Sequence, residues 1–367
     1  MKESRQDKSL TSFFLKIQEQ EKQKQIVKLH VGDPQLPTPE NIQRAGIQAI
    51  KGEKTHYTSP FGSPELRQLI ASKYSGVDPD NVLVSSGGRL ILAGVFRTFL
   101  QQGDRVMIPA PYYPSFREIV SYFRGVPVYI DTSVNDFFLT EESLKRALDL
   151  NGIPEFLIIN SPNNPTGVIY SVSELRKVVE LSRHYGFSIV FDECYSAFSY
   201  LSFDFREICP EAIIVNSCSK TYAMSGWRIG WAIAPSKDIA RMKEFFQTVV
   251  GSLCSISQEA ALEALRTDKR IEDFSRQREM VYDFLDELGI VYPRTEGAFY
   301  VFPDLSSFFS SSIRDSFDLA EYLLDRAGVA VAPGEVFGDY PGHVRLAYCL
   351  EESVLRKGLQ EIKKSLL

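Results

Sequence analysis

A chain of 367 residues, 44% hydrophobic and 24% charged, is too long for one small domain and can bury a core without disulfides or structural metal. Its formal net charge of −6, with no long Lys/Arg run to oppose it, argues against a nucleic-acid surface. No apolar stretch reaches signal or membrane-spanning length, and the five scattered cysteines show no CxxC or Cys/His spacing, so a cytoplasmic protein with no membrane partner and no metal site is expected.

Residues from Ser9 to about Lys28 place Phe13, Phe14, Ile17 and Ile26 among charged neighbours, which predicts an amphipathic N-terminal helix. It leads into Leu29-His30-Val31-Gly32-Asp33-Pro34, where glycine and proline predict a turn. From about residue 64, helices alternate with short apolar strands. The strands are expected at Val82–Val84, Arg105–Ile108, Phe156–Asn160, Ser188–Phe191, Ile213–Asn216 and Ile229–Ala234, with a helix at Ser173–Arg183 among those between them. Continuously apolar strands alternating with helices predict an α/β fold whose largely parallel sheet is covered on both faces. After Pro235 come helical stretches at Lys237–Thr248, Gln258–Leu265 and Ile271–Leu288. Strands are then expected at Ala298–Phe302, Val329–Ala332 and His343–Cys349. The expected division is a large domain over residues 40–270, and a small one built from 1–39 and 271–367.

Ligands of open α/β sheets bind outside the carboxyl ends of the strands. Four polar features fall there: Gly87-Gly88-Arg89, Ser161 to Gly167, Asp192-Glu193-Cys194-Tyr195, and Ser217-Cys218-Ser219-Lys220. Core packing alone does not produce such convergence. Lys220 taken singly is a solvated loop lysine. At the end of an apolar strand it instead suits Schiff-base chemistry, which needs a sheltered amine of depressed pKa. Asp192 follows Ile189-Val190-Phe191, so its carboxylate is expected to be sheltered and to need a cation, supplied either by a ligand or by a core arginine. Gly87-Gly88 alone is an ordinary turn signal, raised by its place between a strand and an apolar helix.

Several motifs together resemble the class I/II aminotransferases of fold type I. They are Asn163-Asn164-Pro165-Thr166-Gly167, Phe191 to Tyr195, and Ser217-Cys218-Ser219-Lys220 continuing to Trp227-Arg228-Ile229-Gly230. Asn164, Asp192 and Lys220 stand at equal intervals of 28 residues (164 to 192, 192 to 220). His56-Tyr57-Thr58 with Gly62 to Arg67, then Gly297-Ala298-Phe299-Tyr300 and Val344-Arg345-Leu346, match further segments in the family's order, so the likeness spans nearly the whole chain. The resemblance implies a large domain with a mainly parallel seven-stranded sheet, a smaller α+β domain, and pyridoxal 5′-phosphate as cofactor.

The resemblance also implies roles. Lys220 holds the cofactor and shuttles the proton, Asp192 faces the pyridine nitrogen, and Tyr195 and Asn164 donate to the phenolate oxygen. Tyr113 stacks on the ring. The phosphate rests on the amides of Gly87, Gly88 and Arg89 with Ser217 and Arg228, while Tyr57 reaches the phosphate of a second subunit in a homodimer. Arg345 clamps the substrate's α-carboxylate by a fork that lysine cannot form, and Gly32 lets the backbone lie close over the substrate. The implied reaction is ping-pong transfer of an amino group from an amino acid to a 2-oxo acid.

The donor stays open. Residues 247–258, where some aspartate aminotransferases place a partner arginine, contain no Arg or Lys, which leaves Arg89 as a reader of a side-chain carboxylate or as a phosphate helper. An aromatic or neutral substrate is the other choice. The rival activity is a PLP-dependent lyase (C–S lyase or aminocyclopropane-carboxylate-synthase type). C–S lyases of this kind typically carry a histidine where this chain has Glu193 to Ser196. A dehydrogenase fails on the absence of G-x-G-x-x-G after a strand.

Overall fold

The computed structural model describes residues 10–199, 203–271 and 273–367. Apolar β-branched runs become strands. In chain order these are β1 (Val27–Lys28), β2 (Val82–Ser85), β3 (Arg105–Ala110), β4 (Val126–Asp131), β5 (Phe156–Asn160) and β6 (Ser188–Asp192). They continue with β7 (Ile213–Ser217), β8 (Gly230–Ile233), β9 (Tyr300–Val301), β10 (Val329–Ala330), β11 (Ala332–Pro333) and β12 (Val344–Ala347). Seven of them form one sheet in the order β2-β8-β7-β6-β5-β3-β4, as the resemblance implies. Pairing is parallel from β7 through β4, and β8 alone runs antiparallel, between β2 and β7.

The strands β5 and β7 are buried along their whole length, so their side chains on both faces contribute to the core, at about 1.5–3 kcal/mol for each large apolar side chain removed from water. Because β8 is the only reversed strand, Ser85, Asn160, Asp192 and Ser217 all lie at one edge of the sheet. That edge carries the site.

A second apolar cluster gathers Phe13, Ile17, Val27 and Leu29 with residues from Phe274 to Ile362. Here β1 pairs in parallel with β10, and a three-stranded sheet runs β11-β12-β9. The chain departs from expectation in several places, among them the strand expected at Val329–Ala332, which is split into β10 and β11 in different sheets. The N-terminal helix stops at Glu21, because Ile26 to Leu29 supply the buried strand that pairs with β10 rather than more helix. The helix expected from Ile271 begins at Ser275, where Phe274 adopts a left-handed φ of 58°. Strand β4 is unforeseen. It is an edge strand, mostly partly exposed, with Pro127 inside it, a residue that sheets tolerate only at an edge. Among the described residues no helix is long and apolar enough to cross a membrane.

Candidate active site

Two adjoining cavities lie at the sheet edge. The deeper, about 440 Å³, is lined by Gly88, Arg89, Asp192, Ser217, Lys220 and Arg228, among others. The outer, about 290 Å³, is lined by His30, Gly32, Asn164, Tyr300 and Arg345. Tyr113, Tyr195 and Lys220 belong to both. The sequence-based expectation that Asp192 and Lys220 share one crevice therefore holds.

Asp192 is the informative group. It is 7% exposed, and its carboxylate accepts from the Cys194 amide at Oδ1, at 3.0 Å. No Lys, Arg or His among the described residues reaches it as an ion pair, so the core-arginine alternative fails. Burial raises its pKa, with the hydrogen bonding from Cys194 acting the other way. A sheltered carboxylate without a cation, on the wall of an open cavity, is a site for a cationic ligand atom.

The Lys220 ammonium donates to the Gly32 carbonyl at 2.8 Å and to Asp33 Oδ1 at 3.3 Å. Gly32 is required there. A Cβ at residue 32 would run into the Tyr300 hydroxyl. Tyr195 and Tyr300 share a hydrogen bond between hydroxyls at 2.8 Å, and Asn164 Nδ2 donates to the Tyr195 hydroxyl at 3.4 Å. Burial, then the neighbouring Tyr300, keeps Tyr195 well above the usual phenol range and hence a donor.

Arg345 is 7% exposed. Its guanidinium donates through Nη1 to Asn164 Oδ1 at 2.8 Å and through Nη2 to the His30 carbonyl at 2.5 Å. It lies 4.6 Å over the Tyr300 ring and 4.8 Å from that of Phe337, while its buried Nε has no partner. Such a caged cation, with N–H donors unused, is set to receive a carboxylate. His30 beside it is neutral: burial, then Arg345 and Lys28, push its pKa down to about 4.

At the other end of the deep cavity, the helix Gly88–Phe99 starts without a side-chain cap, so the amides of Gly88 and Arg89 can receive an anion. Gly87 sits at φ 93°, and a Cβ there would strike the Arg228 guanidinium. That guanidinium crosses the turn, donating to the Ser86 carbonyl at 3.1 Å and to the Ser225 carbonyl at 2.6 Å. Arg89 lines the deeper cavity and donates to the hydroxyl of Tyr113, which borders both cavities. Tyr57 is not brought into these cavities; it stands 96% exposed on the surface of the single chain.

Residues not foreseen are Phe14, His30, Asp33, Asn160, Cys194, Ser219, Ser225 and Tyr300. Tyr300, Ser219 and Ser225 lie inside motifs already noted, and that position is the signal that could have found them. Phe14 and His30 carry none, since an apolar helix position and a lone histidine read as packing.

A half-buried lysine and a carboxylate without a cation in one cavity, an uncapped helix start with an arginine, and a caged arginine define a pyridoxal-phosphate enzyme of fold type I. The chain belongs to the family of class I and II aminotransferases, whose model matches residues 24–362. It is 34% identical to a probable aspartate/prephenate aminotransferase of Aquifex aeolicus, the match covering 93% of this chain and 91% of that one. It is 35% identical to the aspartate/prephenate aminotransferase of Thermus thermophilus, with the same coverage. The structure of Thermus thermophilus aspartate aminotransferase with maleate superimposes with a TM-score of 0.90, at 33% identity, over 98% of this chain and 97% of that one. A Methanococcus jannaschii protein, described as resembling kynurenine aminotransferases in its active site, matches at 29% identity with a TM-score of 0.86, over 98% and 97% of the two chains. The protein is a pyridoxal-phosphate-dependent aminotransferase, and the lyase alternative is not favoured.

Proposed function

We propose that the deep cavity takes pyridoxal phosphate and the outer one the amino acid, with Lys220 as the covalent attachment point. The observation that carries this is the sheltered, cation-free carboxylate of Asp192 in the same cavity as Lys220. The residues fit the group. Asp192 would pair with the ring nitrogen; Tyr195 and Asn164 would donate to the phenolic oxygen; Tyr113 would cover the ring. The amides of Gly88 and Arg89, with Ser217 and Arg228, would hold the phosphate. When bound, the cofactor supplies an electron sink for the bond broken at the substrate's α-carbon.

The chain's own residues do the rest. Arg345 would fix the α-carboxylate in the outer cavity through its guanidinium fork. Lys220, released from its covalent link, would take the proton from the α-carbon and return it, with the Gly32 carbonyl and Asp33 marking the place where its amine rests between transfers. Phe14 and His30 would narrow the mouth against water. We place the cofactor-binding unit at residues 40–270 and the smaller unit at 1–39 with 271–367. The bare Tyr57 supports a homodimer in which it completes the other subunit's phosphate site. The five unpaired cysteines suit the cytoplasm.

For the substrate, the side chain of Arg89 favours a second carboxylate. It donates to Tyr113, which borders both cavities. The names of the relatives, which include aspartate and prephenate, and the maleate-bound structure agree with a donor or acceptor carrying two carboxylates. Replacing Arg89 by alanine is expected to lower kcat/KM for aspartate and 2-oxoglutarate by about 10- to 100-fold, the worth of one or two charged hydrogen bonds. Neutral aromatic donors should change by less than about threefold, on the scale of an exposed contact. Steady-state kinetics over a panel of donors checks this, and a general loss of cofactor would instead make Arg89 a phosphate ligand.

A further inference from the structure

Behind the site lies a buried polar cluster that the chemistry above does not use. Glu193 follows Asp192 and is likewise 7% exposed. Its Oε1 accepts from the Tyr74 hydroxyl at 2.5 Å and from Asn216 Nδ2 at 2.8 Å. The Tyr74 hydroxyl in turn accepts from Asn216 Nδ2 at 3.1 Å and from the Trp231 indole at 3.4 Å. Asn216 Oδ1 receives the amide of Ser217 at 2.7 Å. The cluster thus joins the residue after Asp192 to the residue before Ser217, the groups assigned to the two ends of the cofactor. Hydrogen bonds this densely shared in a dry region orient their backbone strongly.

Glu193 also borders a separate cavity of about 370 Å³. The charged and titratable groups facing it are Tyr74, Asp192 and Asp204, with Lys73 and the Asp268–Arg270–Tyr222 group on the cavity wall. Among the described residues none of the cations forms an ion pair with Glu193. Burial is the chief influence on it and pushes its pKa up to about 7, with the Tyr74 and Asn216 bonds acting the other way.

We infer that Glu193 is a positioning residue for the cofactor: with Tyr74 and Asn216 it fixes the placement of Asp192 and Ser217, and its charge acts on the cofactor's proton balance from behind Asp192. The inference rests on the cofactor reading above. A negative charge behind Asp192 favours cationic forms of the bound ring, so removing it makes those forms easier to deprotonate. Replacing Tyr74 by phenylalanine has the same sign, because Glu193 then loses a donor that favours its ionised form.

The test is a spectroscopic pH titration of the cofactor-loaded protein, wild type beside Glu193→Gln and Tyr74→Phe. Both variants are expected to lower the midpoint at which the chromophore loses its proton, by about 0.3 pH unit or more, a twofold change in proton affinity. A purely structural role would change cofactor uptake without moving that midpoint. Should Glu193→Gln not fold, the milder Tyr74→Phe decides. Midpoints equal to wild type in the folded variants overturn the role of Glu193 alone, whereas a wild-type protein that forms no chromophore overturns the cofactor reading and this inference with it.

Discussion

Lys220→Ala is expected to lower turnover by at least about 10⁴-fold, because it removes both the covalent anchor and the positioned proton carrier. Among the described residues Lys220 is the only lysine lining either cavity, so no second amine stands ready to substitute. The loss should leave the fold intact. Among the described residues the Lys220 amine hydrogen-bonds to the Gly32 carbonyl and Asp33, and its side chain is 19% exposed, a setting in which an ion pair is worth about 1 kcal/mol or less. Thermal unfolding near the wild-type temperature, together with lost transfer of an amino group to 2-oxoglutarate, is the expected pair of results. Retained turnover would remove the central assignment.

Asp192→Asn is expected to be the other severe change, lowering turnover by about 10²–10³-fold, on the scale of removing one preorganised electrostatic partner. Its effect on stability should depend on the cofactor, which separates it from ordinary core damage. In the cofactor-free protein the carboxylate is buried without a cation, and its folded pKa is raised. A raised carboxylate pKa contributes stability that is full below the unfolded value, near pH 4, and is lost as pH rises through the folded value. Above the folded value the ionised Asp192 is therefore a burden, and there Asp192→Asn without cofactor should unfold no lower than wild type. With cofactor the order reverses, since the neutral asparagine supplies no charge to balance a protonated ring nitrogen. Melting temperatures of both proteins, each with and without pyridoxal phosphate, check the two signs together.

Glu193 makes a separate pH prediction. Its pKa is raised from 4.5 to about 7, so the stability it contributes is full below pH 4.5 and declines as pH rises through 7. The shift corresponds to roughly 3 kcal/mol. Glu193→Gln should flatten the stability profile over that window, which denaturant melts at pH 5 and pH 8 measure directly.

Much of the site was legible in the sequence, for one reason: a polar residue at the end of a continuously apolar strand has few explanations other than a ligand. Asp192, Ser217, Lys220 and the Gly87 turn all announce themselves that way, and the strands β2, β6 and β7 that lead to them are read from unbroken apolar runs. Arg345 is similar, a charge inside the apolar β12. Strand β4 escaped because an edge strand half open to water loses the unbroken pattern, and Pro127 counts against it. The N-terminal helix was drawn too long because Ile26, Val27 and Leu29 fit an apolar helix face as well as a strand, and only pairing with β10 distinguishes the two. His30 and Phe14 reach the outer cavity by the path of the chain between the two apolar clusters, which no local pattern encodes. The cluster of Tyr74, Glu193 and Asn216 joins residues more than a hundred positions apart, so only the fold brings it into view.

The most direct measurement is borohydride reduction of the protein loaded with pyridoxal phosphate, followed by peptide mass mapping. One stoichiometric adduct on the peptide carrying Lys220 is expected, with loss of the yellow chromophore's absorbance. An adduct at any other lysine, or a bound chromophore that borohydride leaves unattached, would contradict the placement of the reactive amine beside Asp192.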